Sequence, residues 1–234
     1  MTRRTLLALA VLLAGCTGAR GERALPQDRS ESVRYVALGD STVEGIGASS
    51  AETNYVSLLH RRLTAIYPAA EAINLGVGGA TAADVVAGQL ARAVEVRPHL
   101  VTLSIGPNDI TRRVPLEQYE RNIEAILKAL TEETRAVIVV SLIPDLAVTP
   151  RFRASPAREL VGRLSVQFND AVRRQTEGRP VTLVDLYAAS RAEVPARPEL
   201  VSSDGYHPSD AGYARWAELM WSGLRPRIAA PVVE

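Results

Sequence analysis

Apolar and polar positions along this chain repeat with two alternating periods. Short, nearly continuous apolar runs occur at Val33 to Leu38, Ala72 to Leu75, His99 to Ile105, Ala136 to Ile143 and Val181 to Leu186. Runs of that length, bounded by Gly, Pro and Asn, predict strands buried on both faces. Between them apolar residues recur at helical spacing. Tyr55, Leu58, Leu59, Leu63 and Ile66 predict a helix starting near Thr53 or Asn54 and ended by Pro68. Thr81-Ala82-Ala83-Asp84 matches a capping box and opens a helix running to about Val96. Leu116, Tyr119, Ile123, Ile126, Leu127 and Leu130 form one stripe after Pro115. Leu160, Leu164, Phe168 and Val172 form another, after Ser155-Pro156 read as a cap and first helical residue. A last helix begins near Ser209 and carries Tyr213, Trp216, Leu219 and Met220. The stretches Thr42 to Glu52, Pro144 to Ala154 and Ala188 to Ser203 read as loops. Regular alternation of strand and helix predicts an α/β fold, a three-layer α/β/α sandwich around a central five-stranded parallel sheet with right-handed crossovers.

The first residues do not belong to that pattern. Arg3 and Arg4 precede an apolar run from Leu6 to Leu13, too short to span a bilayer, and Leu13-Ala14-Gly15-Cys16 follows. This reads as a signal peptide over residues 1–15 whose end resembles the bacterial lipobox, with Cys16 lipidated and first in the mature chain. The expected localisation is the cell envelope, membrane-anchored and facing outside the cytoplasm. Cys16 is also the only cysteine of the 234 residues, so no intrachain disulfide can form. Residues 16–32 are polar, with Gly and Pro and no periodicity, and predict a flexible tether. One domain is expected over 33–226, with a short tail over 227–234. Without residues 1–15, which carry two arginines and no acid, 25 basic residues face 26 acidic ones. That near-neutral balance argues against a nucleic-acid partner.

In open parallel sheets, ligands bind just beyond the carboxyl ends of the strands. Three predicted strand ends and one late loop carry chemistry there: Gly39-Asp40-Ser41, the turn from Asn74 to Thr81, Gly106-Pro107-Asn108-Asp109, and Asp204-Gly205-Tyr206-His207. A serine nucleophile needs a base, normally a histidine oriented by a carboxylate. Asp204 and His207 lie three residues apart around a glycine, so a short loop can set the carboxylate beside one ring nitrogen and leave the other for Ser41. The backbone N–H groups of Ser41 and Gly79 and the Asn108 amide can supply donors for a developing oxyanion.

These blocks resemble those of the SGNH (GDSL-type) hydrolases, over Val33 to about Leu224. The resemblance assigns Ser41, Asp204 and His207 to the catalytic triad and Ser41, Gly79 and Asn108 to the oxyanion hole. It implies a flavodoxin-like sheet and a carboxylic-ester hydrolase that needs no metal or other cofactor. The one departure is Gly-Asp-Ser-Thr where the family nickname has Leu; position 42 is outside the catalytic set. The expected substrate is a small-molecule or polysaccharide acyl ester with a short or medium acyl group, because the two long loops carry few apolar residues to line a long groove. The chain is expected to act as a monomer.

Other readings use the same residues. Acyl transfer to an envelope polysaccharide would proceed through the same acyl-serine. A metallohydrolase would recruit Asp40, Asp109, Asp204 and His207, although such sites usually hold more than one histidine. A non-catalytic, lipid-anchored binding module would have no need of Ser41 or His207. His60 reads as a solvated helix residue, His99 as structural, and Asn74 as a residue that ties down its own turn. Arg112, Arg113, Arg151 and Arg153 read as surface charge near the catalytic edge.

Overall fold

The computed structural model of the chain describes residues 23–228. Five strands, β1 (Arg34–Gly39), β2 (Glu71–Asn74), β3 (Leu100–Ser104), β4 (Val137–Ser141) and β5 (Val181–Val184), form one sheet in the order β2-β1-β3-β4-β5. Every neighbouring pair is parallel; Val36 lies opposite both Ile73 and Val101, and Val101 opposite Ile138. This is the expected five-stranded sheet, in the flavodoxin-like order, with its switch point at the end of β1. The central strands are buried along nearly their whole length because helices cover both faces. Edge strand β2 is mostly exposed.

Successive residues of the central strands enter different cores. Tyr35 and Ala37, with Val137 and Val139, pack toward α2 (Tyr55–Thr64) and α10 (Asp210–Leu224), whose Tyr55, Leu59, Tyr213 and Trp216 complete that core. Val36, Leu38, Val101, Leu103, Ile138 and Val140 enter the other core, with α3 (Ala82–Gly88), α4 (Leu90–Glu95), α6 (Leu116–Glu133) and α8 (Arg158–Thr176). Each fully buried side chain of this size contributes ~1.5–3 kcal/mol, so the period-two split of the strands is what holds three layers together.

The elements differ from the sequence pattern at identifiable places. Helices α1 (Ser41–Glu44) and α5 (Pro107–Thr111) are too short to show a helical repeat and lie where loops were expected. The helix predicted over 81–96 is broken into α3 and α4 at Gln89, whose buried amide accepts from the Gly39 N–H (2.9 Å) and donates to the Gly39 carbonyl (2.8 Å). The predicted loop from Pro144 holds a 3-10 turn (Leu146–Val148) and α7 (Pro150–Arg153). The first part of the loop expected from Ala188 is α9 (Leu186–Glu193), because Asp185 accepts from Ala188 N–H (2.8 Å) and ends the strand two residues early, and a 3-10 turn (Pro198–Leu200) follows. Helix α8 begins at Arg158, since Ser155 Oγ accepts from the Ala157 N–H (3.1 Å) and closes a turn ahead of the helix.

Residues 23–32, expected within the tether, pack on the domain. Leu25 is 2% exposed and pairs with Ile228 in a parallel bridge. Arg23 donates to the carbonyls of Ala136 (3.0 Å) and Thr131 (2.6 Å), and Tyr67 Oη donates to the Pro26 carbonyl (2.7 Å). One buried leucine and three backbone acceptors suffice to hold a polar segment that has no periodicity of its own. Ile228 accordingly joins the domain, two residues past the expected limit. The leader expected over 1–15 and Cys16 lie outside the described residues. No helix among the described residues is long and apolar enough to cross a membrane.

Candidate active site

Strand β1 delivers Ser41 to the sheet edge through a backbone that only glycine permits. Gly39 has φ +149°, and a Cβ there would stand 2.0 Å from the Ser104 carbonyl oxygen of β3. Asp40 then caps α1, its Oδ1 accepting from Thr42 N–H and Thr42 Oγ1, both at 2.9 Å. The threonine that departs from the family pattern thus holds the aspartate that precedes the serine. Burial raises Asp40 to about 6, against the lowering effect of the Thr42 bonds and of nearby His207.

Between β5 and α10 a tight loop presents the histidine. Ser202 N–H donates to the His207 carbonyl (2.8 Å), Gly205 N–H donates to that of Ser202 (3.0 Å), and Gly205 turns with φ +73°. His207 Nε2 lies 2.9 Å from Ser41 Oγ, and its Nδ1 lies 2.6 Å from Asp204 Oδ2. Asp204 Oδ1 accepts from Ser202 Oγ (2.8 Å) and from the N–H groups of Tyr206 (2.7 Å) and His207 (2.9 Å). Burial alone would raise the Asp204 pKa, but these bonds, led by that from His207, outweigh it and hold the carboxyl well below the usual range. Tyr206 packs edge-on against the imidazole, ring centres 5.0 Å apart.

The remaining two blocks meet across the ends of β2 and β3. Asn108 Nδ2 donates to the Ala80 carbonyl (3.0 Å), and both Asp109 oxygens lie near the Ala82 N–H (3.2 and 3.0 Å). Burial raises Asp109 to about 7, against the Ala82 bond. Gly79 immediately precedes these anchors in the left-handed region, φ +78°. Among the described residues, the N–H groups of Ser41 and Gly79 have no hydrogen-bond acceptor. Five predicted site residues thus fall into two bonded sets, Ser41–His207–Asp204 and Asn108–Ala80 beside Gly79.

A cavity of about 100 Å³ opens beside Ser41 and His207. Its walls are mainly apolar, with Leu146, Leu186, Val194, Leu200, Val201 and Trp216 prominent. Helix α9 and Trp216 were absent from the sequence-based account of this wall. Asp185 followed by Leu-Tyr-Ala-Ala was the available cue for α9, as a helix cap running into helix formers.

Asp40 and Asp109 serve as backbone acceptors, as turn residues commonly do. Among the described residues, no group of three or more His, Cys, Asp or Glu side chains is placed to hold a metal ion. His60 is half-buried and bonds the Ala70 carbonyl through Nε2 (2.9 Å), so it ties α2 to the following turn rather than facing solvent. His99 Nδ1 accepts from Arg34 N–H (3.1 Å), and Asn74 bonds Val43 O (2.7 Å) and Gly76 N–H (2.9 Å), both structural.

Ser41, just beyond β1, thus stands in a hydrogen-bonded line with His207 and Asp204 from the loop before α10. Residues 37–215 match the model of the GDSL-like lipase/acylhydrolase family. The chain therefore belongs to that family, one of ester-hydrolysing enzymes. A GDSL-like esterase of Mycobacterium tuberculosis is 33% identical over 219 residues, covering 89% of this chain; the chain spans 66% of that relative's length. Esterase TesA of Pseudomonas aeruginosa is 24% identical over 94% of this chain and 99% of its own. An acetylxylan esterase of Geobacillus stearothermophilus is 27% identical over 75% of this chain and 83% of its own. A crystal structure of the acetylxylan esterase Axe2 from that organism superposes with a TM-score of 0.65, at 22% identity over 84% of this chain and 96% of that one.

Proposed function

We propose that the protein is a serine esterase that cleaves short or medium acyl esters through an acyl-Ser41 intermediate. The observation that carries this reading is the bonded line Ser41–His207–Asp204 beside an apolar cavity. Asp204, held ionised, keeps the proton on His207 Nδ1, so Nε2 is the basic nitrogen facing Ser41. As Oγ attacks the ester carbonyl, its proton passes to Nε2. The oxyanion receives the N–H groups of Ser41 and Gly79 and the Asn108 amide. His207 then returns the proton to the departing alcohol, and a water activated by the same imidazole releases the acid from Ser41.

The mainly apolar wall beside Ser41 and His207 supports an acyl group bound through its hydrocarbon part. The acetylxylan esterase relative supports acetyl esters of a polysaccharide as one such substrate. The lipobox-like Leu13-Ala14-Gly15-Cys16 supports a further part of the proposal, retention at the cell envelope by lipid on Cys16. A panel of p-nitrophenyl esters tests the first part: kcat/KM should peak at short or medium chains and be abolished in Ser41→Ala. A steady rise to C16 would refute the acyl assignment. Cell fractionation tests the second: Cys16→Ala should leave the membrane fraction, and equal partition of both proteins would refute anchoring.

A further inference from the structure

A second depression, sharing no wall residue with the acyl cavity, is lined by Gly79 of the proposed oxyanion hole. Its volume is about 730 Å³, its floor runs from Asn74 to Ala80, and Arg112 stands on its rim. Gly76, Gly78 and Gly79 leave three of those seven residues as bare backbone, with Val77 exposed among them. The Arg112 guanidinium lies against Gly79: a Cβ there would be 3.0 Å from Nη2.

Arg112 is exposed, and among the described residues its side chain makes no hydrogen bond and no ion pair. Asp84, the acid lining the same groove, uses Oδ2 to cap α3 through Thr81 N–H (2.8 Å) and Thr81 Oγ1 (2.7 Å). Glu44 Oε2 approaches Gly78, where an added Cβ would meet it at 2.7 Å. The Asp84 carboxyl is held low first by its Thr81 bonds and then by the Arg112 charge, so an anion in this groove competes with Asp84 for Arg112 and is repelled by Glu44.

With the acyl chain in its cavity and the carbonyl oxygen at Gly79 and Asn108, the alcohol half of an ester must extend away from the acyl wall. We infer that it lies in the Gly76–Gly79 groove, and that Arg112 selects esters whose alcohol half carries a carboxylate. This inference rests on the serine-esterase reading. A guanidinium offers a planar fork of donors that matches a carboxylate, and beside Gly79 those of Arg112 make no hydrogen bond among the described residues. Arg112 is a specificity residue here; it takes no part in the proton transfers.

The test compares 4-acetoxybenzoate with 4-acetoxybenzamide, which share an acyl group and differ in charge on the alcohol side. The purified wild type should favour the carboxylate by roughly fivefold in kcat/KM at low salt, the size expected of an accessible ion pair, with the gain in KM and reduced by added salt. In Arg112→Gln the ratio should fall toward one, and in Arg112→Lys, which keeps charge without the fork, it should be intermediate. The ratio is taken within each variant, so a general loss of activity cancels. Turnover of both esters with the same ratio in wild type and Arg112→Gln overturns the alcohol-site assignment alone. Failure of the wild type to cleave either ester overturns the esterase reading and this inference with it.

Discussion

Asn108→Ala removes two contributions made by one side chain, and they differ enough in size to be separated. The first is structural: the Nδ2 bond to the Ala80 carbonyl (3.0 Å) ties α5 to the turn that carries Gly79. A hydrogen bond of this kind is worth about 1 kcal/mol, or ~2–4 °C in Tm for a domain of this size. The Gly79 turn keeps its second tie, because Asp109 still accepts from the Ala82 N–H. The second contribution is chemical. The amide carries two hydrogens, and the one not used on Ala80 remains for the oxyanion. Loss of one such donor costs ~10²–10³ in kcat, or ~2.7–4 kcal/mol, with KM nearly unchanged because the charge develops only in the transition state. Steady-state kinetics on p-nitrophenyl acetate, with thermal unfolding followed by circular dichroism, reads both terms on one preparation. A variant that unfolds at the expected temperature with unchanged kcat would remove Asn108 from the oxyanion hole. A loss confined to KM would place it in ground-state binding instead.

Further predictions follow from the same geometry. Ser41→Ala and His207→Ala should each lower kcat more than Asn108→Ala, and the double variant little further, because nucleophile and base fail together; multiplicative losses would contradict a shared role. Burial raises Asp40 to about 6 and Asp109 to about 7 from an ordinary 3.8, so the fold binds both protons more tightly than the unfolded chain does. Their contribution to stability is full below the unfolded value and is lost as pH rises through the folded one. At ~1.4 kcal/mol per unit the loss is on the order of 3 kcal/mol for Asp40 and 4 kcal/mol for Asp109, so Asp109→Asn should flatten the decline in urea stability between about pH 4 and 8; superimposable profiles would refute this. Gln89→Leu should destabilise by ~1–3 kcal/mol, since it leaves the buried Gly39 N–H without its acceptor, and should lower kcat by loosening the strand end before Ser41; urea midpoints and kcat unchanged from wild type would contradict it.

How much of this was legible beforehand depended on whether one stretch of chain carried the signal. Strands β1, β3 and β4 announced themselves because burial on both faces leaves an unbroken apolar run. The blocks at Ser41, Gly79, Asn108 and Asp204–His207 were legible because each chemistry is spelled within a few residues. Helix α9 was not, since the apolar run of β5 continues into Leu186 and Tyr187 and hides the boundary that the Asp185 cap sets. The break at Gln89 was equally hidden, because its cause is a pair of bonds to Gly39, fifty positions away. The acyl wall needed α9, α10 and the 3-10 turn after Asp145 together, and Trp216 read only as core until those elements were assembled. The short segment around Leu25 carried no period at all; its place is decided by Ile228 at the far end of the chain.

The central claim is that Ser41 is the nucleophile, and covalent labelling tests it most directly. Purified protein is treated with a serine-directed fluorophosphonate, and the intact mass and the labelled peptide are measured. The account predicts one adduct per chain, located at Ser41, formed far more slowly in His207→Ala and absent in Ser41→Ala. Label on another residue, or full esterase activity in a protein that Ser41→Ala or the phosphonate leaves untouched, would contradict it.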